Sequence, residues 1–136
     1  MVVPPLREGG QAQYIQSSIP DLLKPSSFSA ILQWMDTHLH EELPIKRLAS
    51  EMKMSQRTFA RHFREVTGTT PHRWLLQQRI VKAQRLLETT DEPIERVASL
   101  CGFSSAAMLH IHFQHFVRNS PQAYRYSFNF KRATRN

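Results

Sequence analysis

The chain carries a sequence repeated within itself, and that repeat limits its fold more than any other feature. Glu42-Leu43-Pro44-Ile45-Lys46-Arg47-Leu48-Ala49-Ser50 and Asp91-Glu92-Pro93-Ile94-Glu95-Arg96-Val97-Ala98-Ser99 are identical at five of nine positions at an offset of 49. The match continues with Ser55 and Ser104. One inserted residue then moves the offset to 50, pairing His62-Phe63 with His112-Phe113, Thr70-Pro71 with Ser120-Pro121, and Trp74 with Tyr124. A repeat of this length with two helices per copy is one supersecondary unit used twice. Two copies are too few for a solenoid, so a paired arrangement is expected.

Periodicity makes the whole chain helical, an all-α fold of about seven helices. Ile31, Trp34/Met35 and Leu39 mark one face of a helix from Ser29 to His40. Pro44 opens a second, Ile45 to Met52, because proline suits a first turn. Ser55 caps a third, to about Thr67, with Phe59, Phe63 and Val66 as its apolar stripe and Gly68 as its left-handed stop. Thr70 caps a fourth from Pro71 to Thr89, carrying Leu76, Ile80, Ala83 and Leu87 at helical spacing. Pro93-Ile94 opens a fifth that closes at Gly102. Ser104 caps a sixth, to about Val117, and Ser120-Pro121 starts a seventh, to about Phe128. Val2-Val3 and Gln13-Tyr14-Ile15 are strand-like, but two short pieces make no sheet. Trp34, Trp74 and Tyr124 read as core aromatics.

Charge then separates the segments. The 136 residues carry 18 Lys+Arg against 11 Asp+Glu, net +7. Residues 1–44 sum to −3, residues 45–85 to +8, residues 86–119 to −2 and residues 120–136 to +4. The positive charge therefore lies on the first repeat, on the helix after it, and at the C-terminal end, which points to a polyanion as partner. One cysteine excludes a disulfide framework and a Cys-rich zinc module. No run of eighteen apolar residues exists to span a membrane, and Met1–Gln16 has no apolar core of a signal peptide. An intracellular location is expected.

Each repeat copy is a short helix, a tight turn and a longer helix. Ala49 and Ala98 stand where crossing helices need a small side chain. Gly102 fits a turn with positive φ, and Lys53 takes the same place less comfortably, by about 1 kcal/mol. This is the layout of a helix-turn-helix, whose second helix enters the DNA major groove. A plain αα-hairpin has the same outline, and the outward face of the third helix decides between them. Arg57, Arg61 and Arg64 fall at i, i+4 and i+7, opposite Phe59 and Phe63, with Gln56 in the first turn. Arginine and glutamine read guanine and adenine edges bidentately. The nineteen residues from Pro71 to Thr89 give about 28 Å of helix. Successive grooves lie about 34 Å apart, so such a rod can hold two units over adjacent grooves. Its exposed face, with Arg73, Lys82 and Arg85, can meet phosphates.

From about Phe28 to Phe128 the chain resembles the DNA-binding domain of AraC/XylS-type bacterial transcription regulators. The strings that carry the likeness are Leu48-Ala49, Met54-Ser55-Gln56-Arg57-Thr58-Phe59-Ala60-Arg61-His62-Phe63, Gly68-Thr69-Thr70-Pro71, Ala98-Ser99-Leu100-Cys101-Gly102-Phe103-Ser104-Ser105, and Phe113 with Ser120-Pro121-Gln122-Ala123-Tyr124-Arg125. The lead, Val2-Val3-Pro4-Pro5 and Gly9 to Ile15, is similar to the end of an amidotransferase-like (ThiJ/PfpI-type) sensor domain in the GlxA/FtrA-like subgroup. That likeness implies a C-terminal fragment without its sensor, hence without a small-molecule effector site.

The resemblance implies residues 1–26 as a lead, 27–129 as the DNA-binding domain and 130–136 as a basic tail. Within the domain, 45–68 and 94–118 are the helix-turn-helix units and 71–89 the linker helix. Helices 55–67 and 104–117 are the expected readers of adjacent major grooves. Base contacts are expected at Gln56, Arg57, Ala60 and Arg61, and in the second unit at Ala106, Ala107, His110 and Ile111. Ser55, Arg64, Thr70, Arg73, Lys82, Ser104 and Ser105 are expected at phosphates. The second set departs from the family, which commonly carries glutamine and arginine there. Alanine and isoleucine can touch a thymine methyl but make no bidentate contact. The first unit is therefore expected to dominate affinity, the second being a weak or shape-dependent reader.

Seven histidines raise a metal site, but only His112 and His115 share a helix face and no Asp, Glu or Cys accompanies them at ligand spacing. His112 repeats His62 before a core phenylalanine, which fits a scaffold or phosphate-contact role. Neither a metal nor another cofactor is expected. Cys101 repeats Met52 and reads as a core residue. No catalytic triad, phosphate loop or carboxylate pair is present, so no enzyme is expected. Double-stranded DNA is the expected partner of a monomeric chain. The competing reading is a helical interaction module, for example for RNA polymerase, with only non-specific DNA affinity.

Overall fold

The computed structural model of the chain describes residues 25–135, with side chains from Phe28 to Phe130. The lead, its strand-like pieces, and the side chains of the basic tail from Lys131 onward lie outside the described residues. Seven helices follow one another: α1 (Pro25–Thr37), α2 (Ile45–Glu51), α3 (Gln56–Thr67), α4 (Pro71–Thr89), α5 (Ile94–Cys101), α6 (Ala106–Val117) and α7 (Pro121–Arg135). No strand occurs among the described residues, as the all-α reading expects. The first helix ends earlier than its apolar face suggested, at Thr37, leaving buried Leu39 in the turn that follows. The last runs beyond Phe128 to Arg135.

The described chain forms two compact units. One holds the residues up to Thr37 together with Leu43–Pro71; the other holds His38–Glu42 and everything from His72. In the first, α1 and α2 pack on α3. Phe28 stacks on Phe59 at 5.6 Å and meets Phe63 edge-on at 6.1 Å, and Phe59 lies 5.7 Å from Phe63. Leu48, Phe59, Phe63 and Met35 are fully buried, and each such side chain stabilises the fold by about 1.5–3 kcal/mol. In the second unit, Ile80, Ala83 and Leu87 of α4 pack with Val97, Ala98 and Cys101 of α5, Phe103 of the turn, and Leu109 and Phe113 of α6. Tyr124 of α7 closes that core edge-on against Phe113 at 5.4 Å.

The repeat is visible bond for bond. Pro44 and Pro93 precede α2 and α5, and each accepts with its carbonyl from the amides three and four residues on, Arg47 and Leu48 in one copy, Arg96 and Val97 in the other. A proline loses nothing there, since the first helical amides have no partner inside the helix. After the short helix, Met54 N–H donates to the Ala49 carbonyl and Phe103 N–H to the Ala98 carbonyl, both at 2.9 Å. Lys53 and Gly102 stand in those turns with φ of 57° and 93°.

Three expectations are corrected. The α6 cap is Ser105, not Ser104: its Oγ accepts from Met108 N–H at 3.1 Å, as Ser55 Oγ does from Thr58 N–H. The insertion between copies therefore falls in the turn, at Ser104, one position earlier than the sequence match placed it. Val66 is 43% exposed, because the packed stripe of α3 stops at Phe63 and the helix's last turn runs past it. Trp34 and Trp74 are only half-buried, whereas Tyr124, half-buried too, packs against the second core.

Two arginines tie the turns in a way the sequence did not announce. Arg79 Nε donates to the Leu39 carbonyl at 3.0 Å and a second guanidinium nitrogen donates to the Glu41 carbonyl at 2.7 Å. Arg125 does likewise, to the Leu87 carbonyl at 3.2 Å and the Glu92 carbonyl at 2.7 Å. In both cases the helix after a helix-turn-helix supplies a guanidinium to carbonyls lying just before it. Burial lowers the Arg79 pKa below its ordinary value, with neighbouring Cys101 acting in the opposite sense.

Candidate nucleic-acid interface

The outward face of α3 is built by its two ends and its core. Ser55 fixes the start, and Gly68 stops the helix with φ of 83° and its N–H on the Arg64 carbonyl at 2.8 Å. With Phe59 and Phe63 pinned at 0% exposure, the helical period turns Arg57, Arg61 and Arg64 to water. Gln56, Arg57, Arg61 and Arg64 are all exposed, as is Ser55; Ala60 is half-buried between them. This helix thus presents three guanidiniums and an amide on one face, with an arginine-free apolar face beneath.

α6 is placed by the same devices. Leu109 and Phe113 are fully buried, so Ala107, His110 and Ile111 point outward and are exposed, with Ala106 half-buried. The helix stops at Arg118, which takes a left-handed φ of 64° and donates its N–H to the Gln114 carbonyl at 2.9 Å. Two residues of this face escaped the sequence reading, Met108 (37% exposed) and Gln114. The offset of 50 points to both: it sets Met108 on Thr58, and Gln114 on Arg64. Ser104 and Ser105 are exposed at the start of the helix.

The expected phosphate contacts just before and along α4 differ in accessibility. Thr70 and Arg73 are exposed; the Arg73 guanidinium lies over the Phe116 ring at 5.3 Å, a cation–π contact that holds it to its own unit. Lys82 is half-buried and close enough to Cys101 to act on its ionisation. In the first unit Arg47 lies over Trp34 at 5.2 Å, so this base too is partly committed to packing.

The remaining reactive groups are structural in their surroundings. Cys101 is fully buried, and burial pushes its thiol up to about 11, with Lys82 and Arg79 pulling the other way. His112 stacks on Phe103 at 5.7 Å, and burial, then His72 and His115, hold it below the usual histidine range. His62 packs against Phe28 and lies 3.4 Å from Glu65. The Tyr124 hydroxyl donates to Glu88; burial and Glu88 raise the phenol to about 12. Among the described residues no group of three or more His, Cys, Asp or Glu is placed to hold a metal. No helix of the described chain is long and apolar enough to cross a membrane.

Residues 48–127 match the family model described as a helix-turn-helix domain. The crystal structure of the DNA-binding domain of AdpA, a global transcriptional factor, in complex with a target DNA is 43% identical. It covers 77% of this chain and 95% of that one at a TM-score of 0.75. The chain belongs to the AraC-type helix-turn-helix family. An AraC-type domain-containing regulator from Chromobacterium violaceum shares 25% identity over 74% of this chain and 89% of its own, with a TM-score of 0.68. The HTH-type transcriptional activator RhaS of Citrobacter koseri is 36% identical over 76 residues, 56% of this chain. This AraC-type chain spans about 27% of the length of the first curated relatives it matches. Those relatives are transcriptional regulators.

Proposed function

We propose that this AraC-type chain is the double-stranded DNA-binding module of a bacterial transcription regulator and that it recognises a specific sequence. The observation that carries the proposal is the α3 face: Gln56, Arg57 and Arg61 stand exposed on a helix anchored by Ser55, Gly68 and two fully buried phenylalanines. A planar guanidinium on a fixed helix can form two parallel bonds to guanine O6 and N7. Ser55, Arg64 and Thr70 fit phosphate positions around it, and in the second unit Arg73 on α4 and Ser105 at the start of α6 do the same, with Ser104 beside Ser105. Lys82 fits least well, being half-buried.

The domain so assigned is residues 27–129, and each of α3 and α6 enters a major groove. The module works as a monomer at the bacterial nucleoid. The GlxA/FtrA-like subgroup and its sensor domain rest on the lead string Val2–Ile15 alone. Selection of bound sequences from random DNA, followed by footprinting and by titration of selected against scrambled duplex at raised salt, tests the proposal. A strong preference that survives salt is the expected result, since non-specific binding is the salt-sensitive part. Equal curves on both duplexes would transfer the function to protein contacts, such as RNA polymerase.

A further inference from the structure

We propose that α6 is a reader of the C5 methyl group, selecting base pairs that carry one in the major groove, thymine or 5-methylcytosine. The inference rests on the DNA-binding reading above and deepens it. At the offset of 50 that aligns His62-Phe63 with His112-Phe113, the three α3 arginines fall on Ala107, Ile111 and Gln114, and Gln56 falls on Ala106. The two helices have the same caps and the same buried phenylalanine, so these pairs occupy equivalent places in their units. Where α3 offers guanidiniums, α6 offers Ile111 at 57% exposure and Met108 at 37%, beside exposed Ala107.

Apolar side chains held this far into water lose nothing by leaving it, and the major groove offers one apolar feature, the methyl at C5 of thymine. A methylated cytosine places the same group at the same ring position. His110, exposed between Ala107 and Ile111, can donate to purine N7, an acceptor that adenine and guanine share. Neither contact therefore separates a T·A pair from a methylated C·G pair. The low charge of this segment, −2 over residues 86–119, leaves the methyl contact a larger share of what the second unit contributes.

The test uses the DNA as the variable and leaves the protein intact. After a site has been selected from random DNA and the half-site of each unit mapped by footprinting, thymines facing α6 are replaced by deoxyuridine, which removes only the methyl. Each replacement is expected to weaken binding about fourfold, with no change for the same replacement in the α3 half-site. Cytosine at the same position should bind more weakly than thymine, and 5-methylcytosine should recover most of the loss. Recovery there assigns the methyl itself; weakening by deoxyuridine without recovery confines the reading to thymine. Ile111→Ala should abolish the sensitivity, and Ile111→Arg should shift preference at that position toward guanine. Unchanged affinity on deoxyuridine duplexes, while Arg57→Ala still weakens the selected site, overturns the methyl inference alone. Failure to select any site overturns the DNA-binding reading and the inference with it.

Discussion

The two helix-turn-helix units repeat one backbone and exchange their exceptions. Each needs two left-handed residues, one in its turn and one at the end of its longer helix. The first unit uses Lys53 and Gly68; the second uses Gly102 and Arg118. The backbone position is thus dictated by the motif, while the residue depends on what lies beside it. A Cβ at Gly68 would have nothing within 4 Å, whereas one at Gly102 would stand 2.0 Å from the Leu39 carbonyl oxygen and 2.9 Å from Arg79 Nε. Glycine at 68 answers only to its φ. At 102 it also leaves room for the bond between Arg79 and Leu39. The outward faces differ in the same way: equal scaffolds, with arginines on α3 and apolar side chains on α6.

The largest expected effect separates the two glycines. Gly102→Ala should destabilise by about 3 kcal/mol, combining a left-handed penalty with overlap against a backbone atom. Gly68→Ala should cost about 1 kcal/mol, because only the penalty applies. Denaturant titration of both variants checks this, and equal losses would mean that the Arg79 bond has no part in the second turn.

Next comes the contrast of faces. Arg57→Ala and Arg61→Ala should each weaken binding of the selected site by about 1–3 kcal/mol, read by fluorescence anisotropy. Ile111→Ala should cost about 1 kcal/mol. A greater loss at Ile111 or Ala107 than at either arginine would reverse the ranking of the two units. Smaller again, Lys53→Gly and Arg118→Gly should raise stability by up to about 1 kcal/mol each, since glycine adopts positive φ without the Cβ clash. A loss at either would show that the basic side chain outweighs its backbone strain.

The smallest effect is a pH dependence confined to the second unit. The His112 pKa is held below its ordinary value, so the unfolded chain binds the proton more readily than the folded one. Stability is therefore full above the unfolded histidine value, about 6.5, and falls as pH drops through the folded value. His112→Phe, which keeps a ring against Phe103, should flatten that part of the melting-temperature profile between pH 7 and 5. An unchanged slope would assign the dependence to other groups.

Much of the fold was legible because its signals are local. The proline before each short helix, Ser55, Gly68, and the buried pattern of Ile80, Ala83 and Leu87 each follow from neighbours within one or two turns. The α3 face was legible for the same reason, since pinning Phe59 and Phe63 inward leaves Arg57 and Arg61 no direction but outward. The α6 cap was not: Ser104 and Ser105 are chemically equal caps, and only the backbone path of the turn selects Ser105. Arg118 could have been read from its alignment with Gly68, a signal the identity of the side chain concealed.

By itself, then, the sequence determined the repeat, the helical elements, and which side chains α3 turns outward, because helical periodicity and capping are decided over a few residues. Only tertiary structure decided which bases were tied down. Arg79 and Arg125 reach carbonyls between 33 and 40 residues away, and Arg73 settles over Phe116. No local pattern distinguishes such an arginine from Arg57 or Arg61. The difference is whether packing brings an unsatisfied carbonyl or a ring face within its reach, and that depends on the path of the whole chain.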